Sequence, residues 1–489
     1  MTPVILLSLL APVAASLFCL AVGWRRISAI ITLASALAIL GCGVALGLRV
    51  DDQVYLGLSG LLRADALSAT MLIVIGVVGS LATWASIGYL DAELVHGHTD
   101  ARGARLYGIL TPAFLAAMAL AVSANNIGVV WIAVEATTVV TAFLVGHHRS
   151  RAALEATWKY VMVCSVGITI AFLGTVLLHF AARHAGAGPE DALHLDILAA
   201  HAAALDPAVT RLAGALLLIG YGAKMGLAPF HTWLADAHSQ APAPVSALMS
   251  GVLLSVAFSV IIRIKPIIDV AVGPGFLRTA LLGAGLTTLF IAALLLTVTG
   301  DLKRMLAYSS METMGLMAVA AAAGTGLAIA ALLLHILAHG VGKTVLFLAG
   351  GQLQAAHDST AIGEITAVLR RSRLVGGAFA VGMVVLLGLP PFAMFASELA
   401  IAISLVDTRL TWALGLALTA LVVAFAALVR NSGRILLGSP SSDAPAIRVP
   451  LTVAAALVTG LLVSIALGVT AGPLSDLFAT AAGQLGAHR

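Results

Sequence analysis

The residues most able to do chemistry in this sequence are charged groups stranded in apolar runs. Glu135 lies in IGVVWIAVEATTVVTAFLV, far from either end of the run. Lys224 lies in LLLIGYGAKMGLAPF, shortly before the helix-breaking Pro229. His335, His339 and Lys343 recur every four residues in LLLHILAHGVGKTVLFL, a spacing that stacks all three on one helix face. Glu398 follows the Leu389-Pro-Pro-Phe392 break. Glu312, in AYSSMETMGLM, is expected about one turn and a half inside its own apolar stretch. An ionisable group at mid-membrane depth costs at least ~2.5–3.5 kcal/mol, so it usually marks an ion path or a proton relay.

The chemistry these residue types suggest is proton transfer. A desolvated lysine trades its proton readily. A Glu–Lys pair stabilises both charged forms, and separating it would release a proton to the next site. Plainer readings stand beside this one. Glu135 could satisfy an arginine or hydroxyls on a neighbouring helix, Lys224 could snorkel, and Glu398 could reach water at a helix end. The two histidines could form a structural polar face, or bind zinc, although no Glu or Cys completes such a site and Lys343 would repel a cation. No nucleophile–base–orienter arrangement is implied, so no catalytic residue is assigned.

The elements that must hold these groups follow from composition. The chain has 489 residues, 61% hydrophobic and 10% charged, against roughly 25% charged in soluble domains. Backbone in hydrocarbon must satisfy its own hydrogen bonds, which leaves helices or closed barrels. The runs are continuous rather than alternating, so an all-α polytopic membrane protein is expected. About fourteen spans of around 20 residues each are predicted near 3–22, 27–48, 65–90, 107–124, 126–146, 156–182, 209–233, 243–262, 276–299, 303–322, 325–350, 374–406, 410–437 and 450–471. The longest soluble piece, 184–208, is expected to be a short amphipathic helix with loops.

Two spans carry a proline break, at Leu227-Ala-Pro-Phe230 and Leu389-Pro-Pro-Phe392. They lie five spans apart, an odd number, which points to two inverted five-helix repeats with broken helices at matching positions. The expected divisions are an N-terminal three-helix segment at 1–106, units at 107–265 and 276–437, and a C-terminal helix at 450–489.

The net charge of +4 does not signal a nucleic-acid binder, because Lys and Arg lie singly or in pairs between apolar runs. With the N-terminus outside, one set of loops holds about 15 Lys and Arg and the other, which includes Arg263, Lys265 and Arg489, about 9, favouring both termini on the outer side. Lys303 is counted in the richer set. Cys19, Cys42 and Cys164 fall inside spans, and no CxxC, Cys/His cluster or GxGxxG opening a βαβ unit appears. No cofactor is therefore expected, whether iron–sulfur cluster, structural zinc or nucleotide. The N-terminal stretch lacks a charged leader and reads as a first span rather than a cleaved signal.

These motifs resemble the antiporter-like, proton-conducting membrane subunits shared by respiratory complex I, Mrp antiporters and energy-converting hydrogenases. The resemblance rests on Lys224-Met-Gly-Leu-Ala-Pro-Phe-His-Thr-Trp through Ser246, on Asp301-Leu-Lys-Arg-Met-Leu-Ala-Tyr-Ser-Ser310, on His335 to Lys343, and on Gly388-Leu-Pro-Pro-Phe through Glu398. It covers roughly residues 105–440 and implies fourteen helices with two inverted five-helix units. It implies a proton path through Glu135, Lys224, His231, His335, His339, Lys343 and Glu398. Ser255 stands where complex I subunits usually place a lysine, so Ser255 and Glu312 become candidates for connecting the half-channels. Those two features are more like the hydrogenase-4 or formate hydrogenlyase branch, and component F within it. The chain is expected to end soon after the fourteenth span, without the lateral helix of the distal complex I subunit.

The resemblance implies a proton-translocating subunit of a redox-driven complex in the inner (cytoplasmic) membrane, beside other membrane subunits and a peripheral hydrogenase-like, iron–sulfur arm. The alternatives are a subunit of an Mrp-type cation/proton antiporter or of an inorganic-carbon uptake system, and a structural anchor that moves nothing.

Overall fold

The computed structural model describes residues 1–50, 53–438, 447–470 and 472–486; Arg489, counted above among the loop charges, lies outside them. In chain order the helices are α1 (Thr2–Val22), α2 (Arg26–Gly47), α3 (Ala66–Val95), α4 (Ala101–Ser123), α5 (Ile127–Val145), α6 (Arg151–His184), α7 (Leu195–Ala200), α8 (Pro207–Met225), α9 (Thr232–Gln240) and α10 (Ala243–Leu248). They continue with α11 (Leu254–Val272), α12 (Gly275–Val298), α13 (Leu302–Ala323), α14 (Gly326–His357), α15 (Val368–Arg371), α16 (Arg373–Leu386), α17 (Ala393–Asp407), α18 (Thr411–Leu436), α19 (Leu451–Thr470) and α20 (Gly472–Gln484). One small antiparallel hairpin, Tyr55–Gly57 with Leu62–Ala64, interrupts the all-α architecture. The segment expected at 184–208 folds as α7 and a short 3₁₀ turn, Ala202–Ala204.

Polar residues at the ends of the apolar runs start the helices. Asn126 accepts from the Gly128 and Val129 amides at 2.9 and 3.3 Å, Ser150 from Ala153 at 3.0 Å, and Asp301 from Arg304 at 2.8 Å. Each satisfies amides that the first turn leaves open. Among the described residues, eleven helices are long and apolar enough to cross a membrane, counting Ala243–Val272 as one. The expected fourteen is reached only if α13 and the two interrupted pairs α8/α9 and α16/α17 also cross. Those three carry the charges and breaks that a hydropathy measure penalises.

Both expected breaks are present. α8 stops where Gly226 turns left-handed at φ 76°, and α9 begins at Thr232; α16 stops before Gly388, at φ 60°. Between α10 and α11, Met249–Leu253 widens into a π turn. The Ala243–Val272 stretch, α3 and α14 form the centre of the bundle, whereas α1 and α19 are mostly exposed and so face the surroundings.

Three positive charges read as loop residues are not free. Arg263 lies within α11, which continues through Pro266, and its guanidinium is buried against Asp65. Lys265 pairs with Asp269 one turn on. Lys303 is buried, donating to the Ala241 carbonyl at 2.7 Å. Leaving them out turns the loop count from about 15 against 9 into about 14 against 7, so the asymmetry between the two sets of loops does not depend on charges that are neutralised or bound inside the protein.

Small residues set the closest helix approaches. A Cβ on Gly285 would lie 2.8 Å from the Gly315 carbonyl, and one on Gly315 would lie 2.9 Å from the Gly285 carbonyl, so α12 and α13 touch backbone to backbone. Gly285→Val is expected to cost at least about 1–3 kcal/mol through overpacking, seen as a lower temperature of monodispersity in detergent. An unchanged transition would refute that packing.

Candidate functional site

Lys224 ends α8 one residue before the helix stops at Met225, wholly buried. Its ammonium donates to Thr138 Oγ1 on α5 at 2.8 Å and to Tyr160 OH on α6 at 2.6 Å, and lies 4.8 Å from the Tyr160 ring centroid. Tyr160 in turn donates to Thr141 Oγ1 at 3.1 Å, and its ring packs against Trp233 of α9. Glu135, one turn before Thr138 on α5, is half-buried and accepts from Ser165 Oγ at 3.0 Å, while its second oxygen is buried without a partner. The Glu135–Lys224 ion pair expected from sequence is not formed: among the described residues no carboxylate lies within salt-bridge distance of either lysine of the axis. The physical reason is local. Neighbouring hydroxyls on α5 and α6 already occupy both charges.

The second lysine is held similarly. Lys343, on α14, donates to the Leu306 carbonyl at 2.8 Å and to the Ser309 hydroxyl, both on α13. One turn earlier, both ring nitrogens of buried His339 lack partners; a further turn back, His335 Nδ1 meets Ser397 Oγ of α17 at 2.9 Å, while its Nε2 has none. Glu312 stands near the middle of α13, not a turn and a half from its end, because the helix extends from Leu302 to Ala323. Glu312 and Glu398 line one cavity of about 190 Å³ with Leu386, Phe425 and Leu428.

Further polar groups carry buried atoms elsewhere in the bundle. His238 of α9 is buried, stacked 5.0 Å from the Phe347 ring of α14, with both nitrogens unpartnered. Ser250 and Ser310 share a hydrogen bond of 2.6 Å. Ser255 is buried with a free hydroxyl, and His231, in the break before α9, has a buried Nδ1 without a partner. Buried polar atoms are normally satisfied by protein or ordered water. Each of these unpartnered atoms is therefore a donor or acceptor open to a further partner.

Thr138, Thr141, Tyr160, Ser165, His238, Ser309 and Ser397 were not singled out from sequence. Only His238 carried a signal, as a histidine between the two breaks. Tyr160→Phe removes one of the two side-chain partners of the Lys224 ammonium, a bond to a charged group typically worth about 1.5–3 kcal/mol. It is expected to slow proton movement several-fold in vesicles while leaving association with other subunits unchanged. A wild-type rate would remove Tyr160 from the site.

Residues 124–424 match the family described as NADH:quinone oxidoreductase/Mrp antiporter, transmembrane. A hydrogenase-4 component F homolog of Methylacidiphilum infernorum is 34% identical over 387 residues, spanning 78% of this chain and 80% of the relative. A chain of an archaeal membrane-bound sulfane sulfur reductase superposes with a TM-score of 0.88 at 22% identity, covering 99% of this chain and 97% of that one. A chain of the Mrp complex from Dietzia sp. superposes at 0.87 and 21% identity, covering 99% and 98%. Those two likenesses establish the shared fold.

Proposed function

The chain belongs to the NADH:quinone oxidoreductase/Mrp antiporter membrane family, and on that premise we propose that it is the proton-translocating subunit of a redox-driven membrane complex. The complex is of the membrane-bound nickel–iron hydrogenase kind (hydrogenase-4 or formate hydrogenlyase type) or a complex I-like enzyme. The carrying observation is the pair of fully buried lysines, Lys224 and Lys343, each held by neutral oxygens. An ammonium so held keeps its hydrogen bonds but has no ion pair to lock its charge, so a change in the nearby field can drive its proton off.

In this mechanism Glu135 receives protons and Lys224 stores them. His231, His238, Ser255 and His339 connect the halves, Lys343 is the second store, and His335, Glu312 and Glu398 form the exit. Redox turnover in partner subunits supplies the driving field. The half-channels are residues 107–265 and 276–437, the second inverted. They follow an N-terminal segment at 1–106 and precede a C-terminal segment, 450–489, whose described residues form α19 and α20 rather than the one helix expected. The two interrupted pairs α8/α9 and α16/α17, each beside a lysine- or carboxylate-bearing element, support this division.

The partners are further membrane subunits and a peripheral hydrogenase-like, iron–sulfur arm. The chain sits in the cell inner membrane with both termini on the outer side. Purification in mild detergent, with mass spectrometry of co-purifying chains, tests the reading. Hydrogenase large and iron–sulfur subunits are expected; small hydrophobic antiporter subunits or a soluble zinc protein, with no redox subunit, would overturn it in favour of secondary transport.

A further inference from the structure

Between α4, α5 and α6 runs a groove of about 690 Å³ whose walls include Leu106, Leu110, Phe143, Leu154, Trp158 and Val161. Phe143, Leu154 and Trp158 are each more than half exposed, so the groove opens away from the bundle. The seven steps from Leu154 to Val161 span about 10 Å at 1.5 Å per residue. The groove therefore follows the helices, in the direction a lipid chain takes in a bilayer.

Its polar end is chemically distinct. Arg149 lines it, exposed and in a left-handed backbone conformation at φ 50°, and its guanidinium makes no hydrogen bond or ion pair among the described residues. His147 also lines it and is only 8% exposed, with Nε2 buried and unpartnered. Burial, together with His148 beside it, pushes the His147 ring down to about 4, so it is neutral near pH 7. Asp100 accepts from the Gly103 amide at 2.6 Å and feels the Arg149 charge without forming an ion pair with it, and Glu155 pairs with Lys159 at 2.7 Å.

We propose that this groove binds an anionic phospholipid, with an acyl chain along the apolar walls, the phosphate at Arg149, and His147 Nε2 bonded to a headgroup or glycerol oxygen. A guanidinium matches phosphate oxygens in a planar fork. A basic residue at the end of an apolar cleft between spanning helices is the arrangement that selects anionic headgroups at a membrane interface. The neutral imidazole lets one buried ring nitrogen bond an uncharged oxygen without a charge of its own.

The test uses the full chain, with whatever accompanies it, in mild detergent. Its melting temperature is titrated with dioleoyl phosphatidylglycerol, dioleoyl phosphatidylcholine or inorganic phosphate. Phosphatidylglycerol is expected to raise the transition well above phosphatidylcholine, and inorganic phosphate to leave it unchanged. Arg149→Glu should abolish the difference between the two lipids. Leu154→Trp, which fills the wall without touching the charge, should raise the half-saturating phosphatidylglycerol concentration at least about tenfold. Should either variant misfold, native mass spectrometry of Arg149→Gln, which should lose retained phosphatidylglycerol, gives a second reading. Equal responses to the two lipids would overturn the proposal. So would stabilisation by inorganic phosphate alone, or a partner helix cross-linking to position 158.

Discussion

Lys224→Ala is expected to reduce proton translocation by at least about tenfold, since a group that carries the proton typically contributes ~10²–10⁴ to the rate. The measurement is fluorescence quenching of a pH-sensitive dye in inverted vesicles driven by the redox donor of the complex, with donor oxidation followed in parallel. Alanine leaves Thr138 and Tyr160 facing each other without the ammonium that both accept from, so no other side chain of α8 can take over its charge. Lys224→Arg separates two explanations for the loss. It keeps the positive charge and the hydrogen bonds, but a guanidinium does not deprotonate in proteins. A relay therefore fails with arginine as well as alanine, whereas a merely structural cation is rescued. Undiminished pumping in Lys224→Ala, with the complex intact, would leave the chain as an anchor.

The second large effect concerns stability. Asp65 and Arg263 are 3% and 6% exposed and joined by bonds of 2.6 and 2.9 Å. Arg263 also donates to Ser68 at 2.7 Å and to the Val122 carbonyl at 3.2 Å, while Asp65 caps α3 through the Ser68 amide at 2.7 Å. One guanidinium thus ties α11 to α3 and α4. Asp65→Ala would strand it in an apolar interior, and breaking a buried pair in this way costs about 3–5 kcal/mol. Replacing both partners by apolar residues, as in Asp65→Leu with Arg263→Met, is expected to restore most of that loss. Thermal unfolding in detergent at pH 7 reads both variants, and a small shift for the single substitution would refute the clamp.

The pH dependence of that contribution has a definite sign. Burial opposes ionisation of Asp65, but Arg263 and Arg63 outweigh it and hold the carboxyl well below the usual carboxylate range. The stabilisation is therefore complete above the unfolded value of about 3.9 and is lost only as pH falls through the lower folded one. Between pH 5 and 8 it should be constant.

What could be read in advance follows from what apolar sequence makes conspicuous. Lys224, His335, His339 and Lys343 stood out because a charge or imidazole in a hydrophobic run is rare. The structure places all four in buried positions. Their partners were illegible. Threonine and serine cost little in a span, so Thr138 or Ser309 carries no mark until folding sets it against a lysine. Tyr160 falls inside the predicted span 156–182, where a tyrosine has nothing in its type or spacing to single it out. Arg263 was misplaced because the predicted span stopped at 262; its partner lies 198 positions away, beyond any local pattern. The breaks were legible through proline and glycine, which act on the backbone where they stand.

α14 has 32 residues, about 48 Å at 1.5 Å per residue, against a hydrocarbon core of about 30 Å. A lipid-facing helix of that length would have to tilt to match the bilayer. Yet nearly all of its apolar length is buried inside the protein, with Leu327 near its start exposed, so acyl chains reach little of it. The histidines and lysine it carries are thereby insulated. The thickness and fluidity of the surrounding membrane act on the peripheral helices and reach α14 mainly through protein contacts. Lipids remodelled with temperature would therefore meet the exposed peripheral helices before they could disturb the surroundings of the buried His335, His339 and Lys343.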